Sequence, residues 1–342
     1  NLNFLQVTFV YLIGRIVISY LFLPAYATGE LSTAYAFLER RFGSKTRSLA
    51  SVVFLFTRIA ADGVRLFATA IPLKFVLGVE YPVAIAILAV VALAYTSVGG
   101  VRGVIWVDAV QMVIYTGGAL IAGFVLIGSH DGGWAGITAL AAAADKFDVI
   151  NLGFGPDFWK TPYTLLGGIL GGAFLSMASH GTDQLIVQRV LATKSVSAGR
   201  RALIGSGIII IVQFLLFLVV GLLLYGHYGG ATVADLGLKR PDEIFPRFIV
   251  EGLPPGVTGL IIAGLFAAAL STLAGSMSSM ASSTVLDLYK PRAKAGLTAE
   301  RELWVSRMVT VLWAALLILS ALFFMNTSQP VVELALSIAS FT

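Results

Sequence analysis

AGLFAAALSTLAGSMSSMASSTVLD, residues 263–287, is the stretch on which the fold turns. It is long enough to cross a bilayer, which takes about 20 mostly apolar residues, yet small and hydroxyl side chains recur along it at helical spacing. Helical side chains lean toward the N-terminus, so the hydroxyls of Ser271 and Thr272 fall near the carbonyl of Ala268, at i+3 and i+4 from it. Three oxygens directed at one spot form the kind of donor set that a hard cation takes. The same spacing also makes a packing seam. Gly264, Ala267, Ser271, Gly275 and Ser279 form a small-residue stripe that lets two membrane helices approach closely, and a membrane serine can bond back to its own backbone.

Composition extends the membrane assignment to the whole chain. The 342 residues are 58% hydrophobic and 12% charged, where soluble domains carry about 25% charged residues, and mean hydropathy is +0.90. An all-α integral membrane protein follows, with residues 1–342 as one transmembrane domain. Nine candidate spans lie at roughly 3–23, 48–78, 81–98, 104–128, 163–181, 203–225, 257–285, 303–324 and from 331 onward. The 48–78 stretch exceeds one span and holds Arg58, Asp62 and Arg65, so a tilted helix or one extending past the bilayer is expected. The chain starts at Asn1 without an initiator Met and stops at Thr342 inside an apolar run, and both ends read as cuts through a longer protein.

The absence of cysteine excludes disulfides, thiol nucleophiles and thiolate metal sites. A net charge of +5 is dispersed among loops rather than gathered on one face, which points to membrane topology and away from nucleic acid. If the first segment enters the cytoplasm, Arg40, Arg41, Lys45, Arg47, Arg102, Arg189, Lys194, Arg200, Arg201, Lys290, Arg292, Lys294 and Arg301 gather on that side, as the positive-inside rule requires. The longer connections near 129–162 and 226–256 then face outward.

Asp108, in GVIWVDAVQ, is a carboxylate entering the membrane. It fits either an interfacial residue paired with Arg102 or capping a helix start, or a residue of a cation pathway or of the shell around a cation. Near the end of the 163–181 segment lie Ser176 and His180, readable as a satisfied helix terminus or as substrate contacts. Gly181, Thr182, Asp183, Gln184, Gln188 and Arg189 follow as a polar terminus with positive anchors. No His-Glu metal motif, nucleophile elbow or phosphate loop is present, so an enzyme is not expected.

Read together, YTSVGGVRGVIWVDAVQ (95–111), GTDQLIVQRVLATKS (181–195), GLIIAGLFAAALSTLAGSMSSMASSTVLDLY (259–289) and STAYAFLERRFGSKTRSLAS (32–51) resemble the sodium/solute symporter family, which includes sodium/glucose, proline, pantothenate and sialic acid cotransporters. The resemblance covers essentially the whole chain in the family's order. It implies the leucine-transporter type of core, a five-plus-five inverted repeat with substrate and sodium near the midplane at discontinuous helices. On that comparison the chain is a fragment of about nine transmembrane helices. It runs from core helix two into core helix ten and lacks the first core helix, so alone it is not expected to transport.

The resemblance further implies a sodium site at Ala268 (carbonyl), Ser271 and Thr272. Sialic acid transporters hold a second sodium with hydroxyls three and four residues beyond that serine, together with the aspartate matched by Asp108. Here those positions are Ala274 and Gly275, so one coupled sodium is expected and the helix below Ala274 reverts to packing. The Tyr-Trp pair of the glucose cotransporters is matched by Ser179 and His180, and their helix-seven lysine by Ile210, which argues against a glucose site. The carboxylate-binding arginine of the sialic acid group is matched by Ala61, with Arg65 a turn further on as a substitute anion ligand. Phe4 and Thr8 match substrate-facing positions on core helix two. The expected protein is a multi-pass plasma-membrane symporter, in a bacterial inner membrane, that moves a small organic solute (sugar, sialic acid, amino acid or carboxylate) with sodium by alternating access. Its partners are then the solute, sodium and lipid. The alternative from another class is the symporter-like input domain of a membrane histidine kinase.

Overall fold

Inside a bilayer the backbone must satisfy its own polar groups, which leaves helices as the available structure for apolar runs of this length. The computed structural model describes residues 2–27, 34–98, 101–154, 164–191, 193–293, 298–327 and 330–339, excluding the side chains at 27, 95, 97, 98, 101–107, 170, 188, 191 and 339. Among the described residues all regular elements are helical. Five helices are long and apolar enough to span: Phe4–Tyr26, Asp108–Ser129, Val196–His227, Pro255–Arg292 and Ala299–Phe324. A sixth arises if Ser44–Leu77 and Tyr81–Ala94, bent by 111° at their junction, count as one broken span.

Among the described residues this is fewer than the nine runs in the sequence, and local features account for part of the difference. Ser44–Leu77 is a single helix of 34 residues, but Arg47, Arg58, Asp62, Arg65 and Lys74 dilute its apolar character. The 163–181 run breaks into short α-helical pieces joined by wide turns at Gly168–Gly172 and Ala178–Thr182. Such π-type turns are rare in helices and tend to sit at functional positions. At the C-terminal end the described helix is Val331–Ala339, nine residues long.

The chain threads through two compact units. The first comprises Asn1–Gly29, Thr116–Thr182 and Arg189–Val257. Here Phe4–Val17 packs along Val196–His227 and along Ala173–Met177. Glycine makes the second approach possible: a Cβ at Gly14 would stand 2.6 Å from the Ala173 carbonyl oxygen and 2.7 Å from the Ser176 Cβ. Ile18, Leu23 and Leu203 close a buried cluster lower in the unit, and Leu2, Ala141 and Leu222 close another. A side-chain cap begins the Val196–His227 helix, where Ser195 accepts from the Ala198 N–H at 3.1 Å.

The second unit comprises Glu30–Tyr115, Asp183–Gln188 and Thr258–Thr342. Its most extensive packing sets Ser44–Leu77 against Ala299–Phe324, where Ser320 donates to the Ile59 carbonyl at 3.0 Å. The long helix stops at Gly78, whose left-handed φ of 66° returns its N–H to the Lys74 carbonyl, a cap that glycine adopts without steric penalty.

Ser44–Leu77 also meets the serine-rich helix Pro255–Ser283 and the π turn Thr284–Tyr289 that continues it. Arg47 pairs with Asp287 at 2.6 Å, the Ser51 and Ser283 hydroxyls bond at 2.7 Å, and Arg58 reaches the Ser276 hydroxyl through Nε at 3.1 Å. Each step along one helix is matched by an equal step back along the other, an antiparallel register held for three turns. The lower half of the serine-rich helix, expected from sequence to be a small-residue packing seam, is therefore a polar one. Ser276, Ser283 and Asp287 are fully buried and bonded to the neighbouring helix, with Ser283 also donating to Asp287 at 2.9 Å.

Candidate functional site

The upper half of the serine-rich helix turns two adjacent hydroxyls to different partners, because consecutive helical residues point about 100° apart. Thr272 donates its Oγ1 proton to the Ala268 carbonyl at 3.0 Å. Ser271, fully buried, donates its Oγ proton to the Asp108 Oδ1. Asp108 lies in the helix Val101–Ser129, more than a turn past its start, so it does not cap that start. Of the three oxygens expected to converge, the Thr272 hydroxyl and the Ala268 carbonyl are bonded to each other, while the Ser271 hydroxyl is bonded to a carboxylate. A hydroxyl that gives its proton to a carboxylate keeps its lone pairs for a cation, and a hard monovalent ion suits one anionic and several neutral oxygens. Gly264, two turns earlier, lies against Ile114 so closely that a Cβ would clash with it, and that contact draws the helix carrying Asp108 in. No group of three or more His, Asp or Glu side chains that could hold a transition metal occurs among the described residues.

A second constellation lies on the same unit. Asp62, fully buried, receives the Arg58 Nε at 2.6 Å and also pairs with Arg65. Arg58 in turn reaches Asp183 at 2.7 Å and, through Nη2, the Ser276 hydroxyl. Two arginines and two carboxylates thus balance in charge, which is how such groups are tolerated at membrane depth. Arg65, expected as an anion ligand, is committed to Asp62.

The family-signature residues mostly build structure. Asp183 caps the next helix by accepting from the Leu185 N–H at 2.8 Å. Gln184, 2% exposed, accepts from the Ala34 N–H at 2.6 Å. Thr182 bonds back to the Ala178 carbonyl at 2.9 Å, and the Gly181 carbonyl receives the Tyr26 hydroxyl at 2.8 Å. Arg189 is half-buried, and the Gln188 side chain lies outside the described residues.

Of the residues expected to face substrate, Phe4 stacks on Phe214 with ring centroids 5.4 Å apart. Thr8 donates back to the Leu5 carbonyl at 2.7 Å, and Ser176 donates across to the Tyr11 carbonyl at 2.8 Å. His180 meets Arg15, its Nε2 2.7 Å from an Arg15 terminal nitrogen. Sequence reasoning passed over Arg15. The available signal was a lone charge inside FVYLIGRIVISY, since ionisable residues within a span are rare enough to be functional by default.

A model of the sodium:solute symporter family matches residues 2–342. The chain belongs to that family. It is 29% identical over 299 residues to the sodium/sialic acid symporter SiaT of Proteus mirabilis, covering 86% of this chain and 59% of that protein. To a putative sodium-dependent multivitamin transporter of Drosophila melanogaster it is 30% identical over 325 residues, covering 92% of this chain and 53% of the relative. Among solved structures, a substrate-bound, outward-open Na+-coupled sialic acid symporter superposes with a TM-score of 0.81 at 26% identity, over 96% of this chain and 69% of the other. The chain spans a little over half the length of these two curated relatives. They are transporters, not enzymes, and nothing in them supports the histidine-kinase input domain raised by the sequence.

Proposed function

We propose that the protein to which this chain belongs is a sodium-coupled symporter that moves a small organic solute across a plasma membrane by alternating access. The observation that carries this is the Ser271–Asp108 contact beside Thr272 and the Ala268 carbonyl, in a chain of the symporter family. Sodium would sit against the Ala268 carbonyl and the two hydroxyls, with Asp108 as the charged member of the set. This moves Asp108 from a neighbouring role to the ion itself.

One coupled sodium is the stoichiometry we favour, because Ala274 and Gly275 offer no side-chain oxygen and Asp108 is engaged at Ser271. Residues 1–342 act in this account as one transporter domain, a fragment of the leucine-transporter type running from core helix two to core helix ten, and the bacterial relative supports placement in a bacterial inner membrane. Sodium and solute raise each other's affinity by the same factor, as linkage requires.

The test is uptake by the full-length protein in proteoliposomes, with N-acetylneuraminate, pyruvate, proline and glucose as labelled solutes. An inward sodium gradient is expected to drive accumulation of at least one of them, and replacement of sodium by choline to abolish it. Equal uptake under both gradients refutes sodium coupling.

A further inference from the structure

Arg15 lies midway along the Phe4–Tyr26 span and is 5% exposed. An arginine there keeps its charge, and burying an unpaired charge costs several kcal/mol. Its partners are both neutral. One terminal nitrogen donates to the Ser206 hydroxyl at 2.5 Å, and that hydroxyl spends its own proton on the Leu203 carbonyl at 2.8 Å. The other terminal nitrogen lies 2.7 Å from the His180 Nε2. Since the guanidinium can only donate, Nε2 must accept, which fixes the imidazole as the neutral tautomer with its proton on Nδ1. That proton points to the Ser179 hydroxyl at 2.8 Å and the Ser176 carbonyl at 3.2 Å.

The Arg15 Nε is buried without a hydrogen-bond partner. Among the described residues no carboxylate pairs with this guanidinium, in contrast to Arg58, which has two. The surroundings are built to admit the side chain: at Gly207 a Cβ would stand 3.1 Å from the Arg15 Cδ and 2.7 Å from Leu12, so only glycine lets Arg15 lie across the Val196–His227 helix. The imidazole and hydroxyl orient the fork without neutralising it.

We propose that Arg15, oriented by His180 and Ser206, is an anion-binding group that takes the carboxylate of the transported solute. This rests on the symport reading and narrows its substrate to an organic acid. A carboxylate supplies the missing countercharge and an acceptor for Nε, in the geometry that guanidinium groups bind best. It also replaces the sequence expectation for Arg65, whose charge is already answered by Asp62.

The experiment uses the full-length protein in detergent with saturating sodium, and isothermal titration with N-acetylneuraminate, propionate, nicotinate and pyruvate. Propionamide, nicotinamide and glucose serve as neutral controls. At least one carboxylate is expected to bind, with its neutral counterpart rejected, and Arg15→Gln is expected to weaken it about thirtyfold or more, as for loss of one partner of a buried ion pair. Arg15→Lys, which keeps the charge but not the fork, recovers part of the affinity.

Sodium binding is read separately, by thermal stabilisation without solute, and stays near wild type in Arg15→Gln. If Arg15→Gln does not fold, Ser206→Ala and His180→Gln are expected to weaken the same carboxylate several-fold. Wild-type affinity in Arg15→Gln, or in both fallback variants, overturns the proposal, as does a wild type that binds none of the carboxylates. A wild type that binds a carboxylate through Arg15 yet shows no response to sodium overturns the symport reading and leaves the anion site standing.

Discussion

Replacing Asp62 by Asn probes the charge network with the least change of shape. Asp62 is fully buried and answers two arginines at once, Arg58 at 2.6 Å and Arg65. The amide keeps one acceptor oxygen but turns a donor toward a guanidinium that can only donate, and Arg58 and Arg65 are left with Asp183 as the remaining carboxylate of the network. Breaking a buried ion pair by removing one partner costs about 3–5 kcal/mol. Most of that loss belongs to Arg58, whose side chain is 10% exposed, while that of Arg65 is 41% exposed and better able to find water or lipid headgroups. Asp183→Asn is the internal comparison: its side chain is 20% exposed and pairs with one arginine, so its loss is that of a charge-assisted bond, about 1.5–3 kcal/mol.

Denaturant unfolding of the full-length protein in mixed micelles measures both variants. Buried pairs are poorly screened, so the Asp62→Asn deficit is expected to persist from low to high choline chloride, a salt that avoids loading the sodium site. An Asp62→Asn protein within about 0.5 kcal/mol of wild type, or one more stable than Asp183→Asn, refutes the burial and pairing argument.

Two further outcomes test neighbouring contacts. Asp108→Asn keeps an acceptor for Ser271 but removes the charge, and is expected to raise half-saturating sodium about tenfold or more, equivalent to about 1.4 kcal/mol per tenfold, in a stabilisation titration. Ser51→Ala removes the proton donor to the buried Ser283 hydroxyl, which keeps its own bond to Asp287, and is expected to lower unfolding free energy by about 0.5–1.5 kcal/mol, with the Ser51→Ala/Ser283→Ala double variant losing less than the sum of the two singles.

The helices and the closeness of Thr272 to the Ala268 carbonyl were legible because both are local. Apolar runs announce spans, and Ala268, Ser271 and Thr272 lie within one turn and a half. Partnerships over long separations were not legible. Asp108 finds Ser271 at 163 residues' distance, and Arg58 finds Ser276 at 218; no spacing rule joins them, so the serines below Ala274 looked like a packing surface. Arg15 was visible as a charge within an apolar run, but its significance lies in what surrounds it, a neutral histidine 165 residues away and a hydroxyl 191 away. The break of the 163–181 run at its glycines also escapes periodicity, because glycine permits a wide turn without demanding one.

The most direct measurement of the central claim is a sodium titration of solute uptake by the full-length protein and its Ser271→Ala variant, in proteoliposomes held at fixed membrane potential. Sodium-dependent uptake with a Hill coefficient near one, and a half-saturating sodium concentration raised several-fold or more in Ser271→Ala, is the expected result. Uptake indifferent to sodium, or a Ser271→Ala curve that overlays wild type, would contradict it.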